Sequence, residues 1–183
     1  MQKYIALLRG INVGGNNKVS MAILKEAFVK NGFSDVVTYI NSGNVIFSSD
    51  CVDEMQLKAR CEQIIAETFG LQIAVAIISA KDLAAALAQV PAWWDEDADA
   101  KHNAIFVIPP ATAETIVEEI GATKPEYEKL AHYGNIIFWS AAIKTFSKTR
   151  WSKIVGTSAY GKITVRNANT TKKLLQLARD ISR

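Results

Sequence analysis

A five-residue repeat is the sequence feature that most constrains the fold of this chain. The sequence GNVIF at residues 43–47 recurs as GNIIF at residues 134–138, an offset of 91 residues. In each copy the glycine and asparagine are typical of a turn, and the β-branched and aromatic residues that follow are typical of a strand. The repeat therefore predicts an equivalent β-hairpin in each half of the chain.

The periodicity of apolar residues around the two hairpins extends this repeat. In the first half, the predicted elements follow in the order strand, helix, strand, strand, helix, strand, at residues 4–8, 21–31, 36–40, 45–48, 53–70 and 73–78, and a short Ala-rich helix ends near residue 89. In the second half, the same order occurs at residues 104–108, 113–120, 127–131, 136–140, 144–155 and 163–166, before a terminal helix from residue 171. The order β-α-β-β-α-β is typical of a ferredoxin-like unit.

The predicted fold is therefore α+β, a tandem duplication of ferredoxin-like units with mainly antiparallel sheets and a C-terminal helix. The first unit, residues 1–90, carries a Gly-rich loop, and the second unit, residues 103–183, carries a basic C-terminal part. Residues 91–102 are rich in acidic side chains, and we interpret them as a linker between the two units.

Composition limits the cellular setting and the possible ligands. Hydrophobic residues make up 49% of the chain, but no apolar run approaches the ~20 residues of a membrane span, so we expect a cytoplasmic protein without a membrane partner. Cys51 and Cys61 have no CxxC spacing, and the two histidines belong to no metal-ligand pattern. We therefore expect neither a metal nor a cofactor, and the oligomeric state stays open.

The stretch LRGINVGGNNKVS, residues 8–20, joins the first strand to the first helix and is the strongest candidate for a binding loop. The first strands of the two halves are offset by about 100 residues, so this loop has roughly nine residues that the second half lacks. Strand direction places the loop beside the turn between the second and third strands, and its glycines let the backbone approach an anion. The candidate ligand-binding residues are Arg9, Asn12, Gly14, Gly15, Asn16, Asn17, Lys18, Asn41, Ser42 and Asn44.

This loop matches neither of the standard phosphate-binding patterns. Asn16 and Asn17 stand where a GxxxxGK[ST] loop requires lysine and a hydroxyl residue, and the glycines lack the GxGxxG spacing. An alternative interpretation is a plain turn in which glycine and asparagine serve only to adopt positive φ angles.

A second candidate stretch, TVRNANTTKKLL at residues 164–175, leaves the last strand and begins the terminal helix. Thr170 is its predicted N-cap, and lysines in the first helical turn are unfavourable unless an anion binds there. Residues 144–183 hold ten basic residues and one acidic residue, hence +9, whereas the first 143 residues hold eleven basic and seventeen acidic ones, hence −6. This polarity favours an anionic partner, although exposed lysines on an ordinary helix are the alternative. The candidate ligand-binding residues here are Arg166, Asn167, Thr170 and Lys173.

No group of residues specifies a reaction, since the chain has neither a G-x-S-x-G elbow nor an HExxH helix, and catalytic residues stay unassigned. The leading interpretation is a protein that binds a phosphate-bearing partner, either an anionic small molecule such as a nucleotide or a nucleic acid. One alternative is an enzyme acting on a small anionic substrate anchored by Arg9 and Arg166. Another is a structural or oligomerising protein.

Three sequences, LLRGINVGGNNKV, TYINSGNVIFSS and TVRNANTTKKLL, together resemble a bacterial family catalogued as the domain of unknown function number sixteen ninety-seven. The resemblance covers nearly the whole chain, and it implies a two-part α+β fold with no established activity. The family's third motif, TxRNWxT, is matched at Thr164, Arg166, Asn167 and Thr170. Ala168 replaces its tryptophan, which counts against a stacking role at that position.

Overall fold

The computed structural model describes residues 1–181, which divide into two compact units. The first unit consists of Met1–Ala84 and the chain from Lys172 onward, and the second consists of Ala85–Thr171. Each unit contains one four-stranded antiparallel sheet, and the chain ends in a helix, so the predicted α+β class with antiparallel sheets is confirmed. Within the described residues, no helix is long and apolar enough to cross a membrane.

The sheet of the first unit has the strand order β2-β3-β1-β4, and every neighbouring pair is antiparallel. Its strands are β1 (Gln2–Leu8), β2 (Ser34–Tyr39), β3 (Asn44–Ser49) and β4 (Val75–Ser79). The helices that follow them in sequence are α1 (Met21–Lys30), α2 (Glu54–Phe69) and α3 (Ala80–Ala88).

The central strand β1 is apolar on both faces, because residues 4–8 are all buried. One face of the sheet packs on an aromatic cluster in which the ring of Phe33 lies 4.4 Å from that of Phe47 and 5.4 Å from that of Phe28. Helix α1 begins at the Ser20 cap, whose hydroxyl accepts a hydrogen bond from the backbone N–H of Ile23. These contacts fix the strand end and the helix start that flank the Gly-rich loop.

The second unit has a sheet of order β6-β7-β5-β8, again antiparallel throughout. Its elements are β5 (Ala100–Val107), α4 (Ala113–Ile120), β6 (Glu128–Tyr133), β7 (Ile136–Ala142) and β8 (Ile163–Asn167), and the final helix is α5 (Ala168–Asp180). Strand β5 begins at Ala100, inside the stretch that the acidic composition indicated as a linker. Trp94 of that stretch is buried against the ring of Phe138, with the ring centroids 5.1 Å apart.

The single helix predicted at residues 144–155 is wrong. Three short 3-10 helices occupy this region instead, at Ile143–Lys148, Trp151–Gly156 and Ser158–Lys162. The carboxylate of Glu128 accepts hydrogen bonds from the backbone N–H groups of Arg150 and Trp151, two donors that a continuous α-helix would need for itself. The break is therefore caused by a buried side chain from β6.

Candidate functional site

The Gly-rich loop of the first unit forms a small hairpin. Val13 and Asn16 are paired by an isolated β-bridge, in which the N–H of Asn16 donates to the carbonyl of Val13 at 3.0 Å. Gly14 and Gly15 lie between them with φ angles of 58° and 81°, the pattern of a type I′ turn. Both glycines are exposed, so a loop tip without side chains projects into solvent.

Two of the predicted ligand-binding asparagines hold this hairpin in place. The side-chain amide of Asn12 both donates to and accepts from the backbone of Val19, each at 2.9 Å. The Nδ2 group of Asn17 donates to the carbonyl of Gly10 at 3.0 Å. Their side chains thus serve the loop itself and position its tip.

The loop lies beside the turn between β2 and β3, where the strand directions predicted it. Asn12 Nδ2 also donates to the carbonyl of Asn41 at 2.9 Å, and the N–H of Leu8 donates to the carbonyl of Gly43 at 2.8 Å. A Cβ atom at Gly43 would lie 2.7 Å from Leu8 Cβ and 2.8 Å from Ile11 Cδ1, so only glycine fits between the turn and the loop. The two segments therefore form one packed surface.

The remaining predicted residues of the loop and turn differ in how far they are exposed. Asn44 is fully buried, and its amide donates to the carbonyl of Tyr39 at 2.9 Å and to the hydroxyl of Ser42 at 3.1 Å. The exposed members of the loop and turn set are Gly14, Gly15, Asn16, Asn17, Lys18 and Asn41, while Arg9, Asn12 and Ser42 are half-buried.

Arg166, which the sequence suggested as an anchor for an anion, is not exposed. Its side chain is buried, and Nη1 donates to the hydroxyl of Thr164 at 2.9 Å and to the carbonyl of Val165 at 2.8 Å. Burial lowers the pKa of the Arg166 guanidinium to about 10. Its charge therefore lies within the protein.

The sequence predicted Thr170 as the N-cap of the terminal helix, and this prediction is wrong. Asn167 takes that role, because its Oδ1 accepts a hydrogen bond from the N–H of Thr170 at 2.8 Å and α5 begins at Ala168. Lys173 consequently lies beyond the first helical turn, where the predicted penalty from the helix dipole is small, and its Nζ donates to Gln176 at 3.1 Å.

A cleft of about 420 Å³ opens where β8 ends and α5 begins, entirely within the second unit. Its polar lining comes from Asp95, Lys101, His102, Asn103, Asn167 and Asn169. Of this set, sequence reasoning identified the amides of Asn167 and Asn169, both in the stretch at residues 164–175. Asn103 lies directly opposite Asn167 in the β5–β8 pair.

His102 forms a wall shared by this cleft and a smaller groove of about 160 Å³. The imidazole is buried, with Nε2 2.8 Å from the carbonyl of Asp97 and Nδ1 2.6 Å from the hydroxyl of Ser140. A carbonyl only accepts, so Nε2 carries a proton and donates to Asp97, while Nδ1 pairs with the Ser140 hydroxyl. The two contacts hold the ring in place, and a separation of 38 residues hid the His102–Ser140 pair from sequence reasoning.

Fold and surfaces together define an α+β protein with two antiparallel sheets, a packed Gly-rich loop in its first unit and a polar cleft in its second. The chain belongs to the family described as "Protein of unknown function (DUF1697)", whose model matches residues 1–138, which confirms the predicted resemblance. It is similar to a solved structure, that of the conserved bacterial protein SP0830 from Streptococcus pneumoniae, with 32% sequence identity and a TM-score of 0.86. That match covers 97% of this chain and 98% of the other. No curated protein matches the chain.

Proposed function

We propose that this protein binds a phosphate-bearing anion, a nucleotide or a nucleic acid, at the Gly-rich loop of its first unit. The observation that carries the proposal is the exposed Gly14-Gly15 tip, which side-chain amides on both sides of the hairpin hold in position.

The chemistry of the tip suits an anion. Without side chains at Gly14 and Gly15, a phosphate oxygen can approach the backbone N–H groups closely. Lys18 is exposed on the same loop, three residues before α1 begins at Met21. Its ammonium group can donate a charge-assisted hydrogen bond, and the helix start adds a favourable dipole.

Within this proposal the predicted ligand residues have two roles. Gly14, Gly15, Asn16 and Lys18 contact the ligand, whereas Asn12, Asn17 and Asn44 position the loop and the neighbouring turn. The excess of basic residues in 144–183 favours an anionic partner for the chain. A cytoplasmic location fits a nucleotide or nucleic-acid ligand.

The architecture itself supports a tandem duplication of ferredoxin-like units. The strand orders β2-β3-β1-β4 and β6-β7-β5-β8 are the same when each is numbered from its own first strand, and the repeated pentapeptide lies at the same turn in both. The three 3-10 helices then occupy the place of the second helix in the second unit. On this interpretation the Gly-rich loop is an insertion in one copy.

The test is a titration of the full chain with nucleotides and with short labelled RNA and DNA, first at low salt and then at increasing salt. Lys18→Ala should weaken binding by about tenfold, because a hydrogen bond to a charged group contributes about 1.5–3 kcal/mol. Lys25→Ala, an exposed lysine on α1, is the matched control and should leave affinity within about twofold of the unmodified chain. Undetectable binding at low salt, or affinity that does not fall with salt, would refute the proposal.

A further inference from the structure

The cleft of the second unit presents an unusual concentration of side-chain amides. Asn103 and Asn167 are directly opposed across β5 and β8, which places their Cβ atoms about 4.5–5.5 Å apart. Asn169 lines the same cleft from the first turn of α5. Three amides therefore converge on one concave surface.

These amides are available to a ligand. Within residues 1–181, the side chains of Asn103 and Asn169 have no hydrogen-bond partner, and Asn103 is half-buried in the cleft wall. Asn167 uses its Oδ1 to cap α5, which leaves its Nδ2 group as a donor toward the cleft. Each amide has both hydrogen-bond donors and an acceptor, so the surface suits a ligand whose groups also donate and accept hydrogen bonds.

We propose that this cleft binds the vicinal diol of a small uncharged ligand, either a monosaccharide or the ribose of a ribonucleoside. A hydroxyl group donates and accepts, as an amide does, and two adjacent hydroxyls can bond to two opposed amides at once. This is a ligand class different from the anion proposed for the Gly-rich loop.

The charges of the lining favour an uncharged ligand. The polar lining contains one carboxylate, Asp95, and one ammonium group, Lys101, whose opposite charges offset each other. The ammonium of Lys101 also lies 4.3 Å from the centroid of the Phe146 ring, which engages it in a cation–π contact. The lining therefore offers an anion a single ammonium group, which lies beside an aromatic ring and shares the cleft with a carboxylate.

The shape of the lining favours a sugar over a base. Its apolar part consists of the methyl groups of Ala100 and Ala168, and the lining contains no phenylalanine, tyrosine or tryptophan on which a base could stack. The volume of about 420 Å³ lies within the range of small-molecule sites and exceeds what a pentose fills. Ligand recognition there must therefore come mainly from hydrogen bonds.

The experiment titrates the full chain, observed by amide NMR shifts and calorimetry, with a methyl riboside, adenosine and 2′-deoxyadenosine. The proposal requires at least one diol ligand to bind and 2′-deoxyadenosine to bind about tenfold more weakly or not at all, because one hydroxyl is gone. Comparable affinity for the riboside and adenosine indicates a free monosaccharide as the ligand, and markedly tighter binding of adenosine indicates a ribonucleoside. The zwitterion glutamine is titrated as a ligand that has an amide but no diol. The proposal is overturned if adenosine and 2′-deoxyadenosine bind equally well, or if glutamine binds more tightly than the diols. It is also overturned if no diol binds at millimolar concentration.

Variants locate the site and separate it from the Gly-rich loop. Asn103→Ala and Asn169→Ala should each reduce diol affinity by about tenfold, the loss expected for an uncompensated hydrogen bond. Gln89→Ala, an exposed amide of the same unit outside the cleft, should change nothing, and neither should Lys18→Ala. Asn169 is exposed and caps no helix, so its variant tests the proposal even if replacement of Asn103 perturbs folding.

Discussion

Replacing Glu128 with glutamine tests how one buried carboxylate organises the second unit. Its Oε1 accepts hydrogen bonds from the backbone N–H groups of Lys124 at 3.0 Å and Arg150 at 2.8 Å. Its Oε2 accepts from the indole N–H of Trp139 at 3.0 Å and the backbone N–H of Trp151 at 3.2 Å. Only 3% of the residue is exposed, so water cannot replace these acceptors.

Glutamine has nearly the same shape but only one accepting oxygen. Whichever way its amide is turned, two of the four N–H donors then face an NH₂ group instead of an acceptor. Each buried donor left unsatisfied costs about 1–3 kcal/mol, so Glu128→Gln should lower the free energy of unfolding of this unit by about 2–6 kcal/mol. The loss is large compared with the stability of a typical domain of about 5–15 kcal/mol.

Urea unfolding followed by tryptophan fluorescence measures this change directly. All four tryptophans belong to the second unit, so their emission reports on that unit. Glu126→Gln, an exposed carboxylate two residues earlier, is the control and should stay within about 0.5 kcal/mol of the unmodified chain. A loss below about 1 kcal/mol for Glu128→Gln would show that the carboxylate does not bear the hydrogen bonds assigned to it.

Three further predictions concern the first unit, each measured by denaturant unfolding or thiol labelling. Gly43→Ala should destabilise by about 2–4 kcal/mol, because its Cβ would lie 2.7 Å from a neighbouring side chain at a φ of 84°, whereas Gly70→Ala, with open space around it, should cost only about 1 kcal/mol. Tyr4→Phe should be neutral or stabilising, since the buried Tyr4 hydroxyl has no hydrogen-bond partner among the described residues; a loss above about 1 kcal/mol would contradict this. Cys51, half-buried, should react with a thiol reagent in the folded chain, while Cys61 should react only on unfolding, because it is fully buried and burial raises the pKa of its thiol; simultaneous labelling would be the contrary result.

The placement of the Gly-rich loop beside the β2–β3 turn was predictable because it depends only on element order and strand direction. The separate roles of the loop asparagines were not predictable. Asn12, Asn16 and Asn17 are the same residue type within six positions, yet the side chains of Asn12 and Asn17 bond to backbone carbonyls and that of Asn16 projects at the exposed loop tip. That difference depends on three-dimensional positions of carbonyl groups that no local pattern encodes.

Long-range partners also explain the elements that sequence reasoning missed. The helical period at residues 144–155 is real, but Glu128 takes the N–H groups of Arg150 and Trp151 and divides the helix. The cleft was missed for a related reason, since Asn103 faces Asn167 only through the register of two strands distant in sequence. Tertiary hydrogen bonds and strand register override local secondary-structure propensity at these positions.

The two copies of the repeated pentapeptide begin with Gly43 and Gly134. Comparing these glycines separates what a hairpin turn requires from what the Gly-rich loop adds in the first unit. Gly134 has a φ of 52°, and a Cβ atom there would meet nothing within 4 Å, so its glycine serves only the turn. Gly43 occupies the equivalent position, but Leu8 and Ile11 crowd the space where its Cβ would lie. The difference arises from the Gly-rich loop, which exists only in the first unit and packs its Ile11 under the turn. Gly43 is therefore constrained both by its turn and by the packing of the Gly-rich loop, whereas Gly134 is constrained by its turn alone.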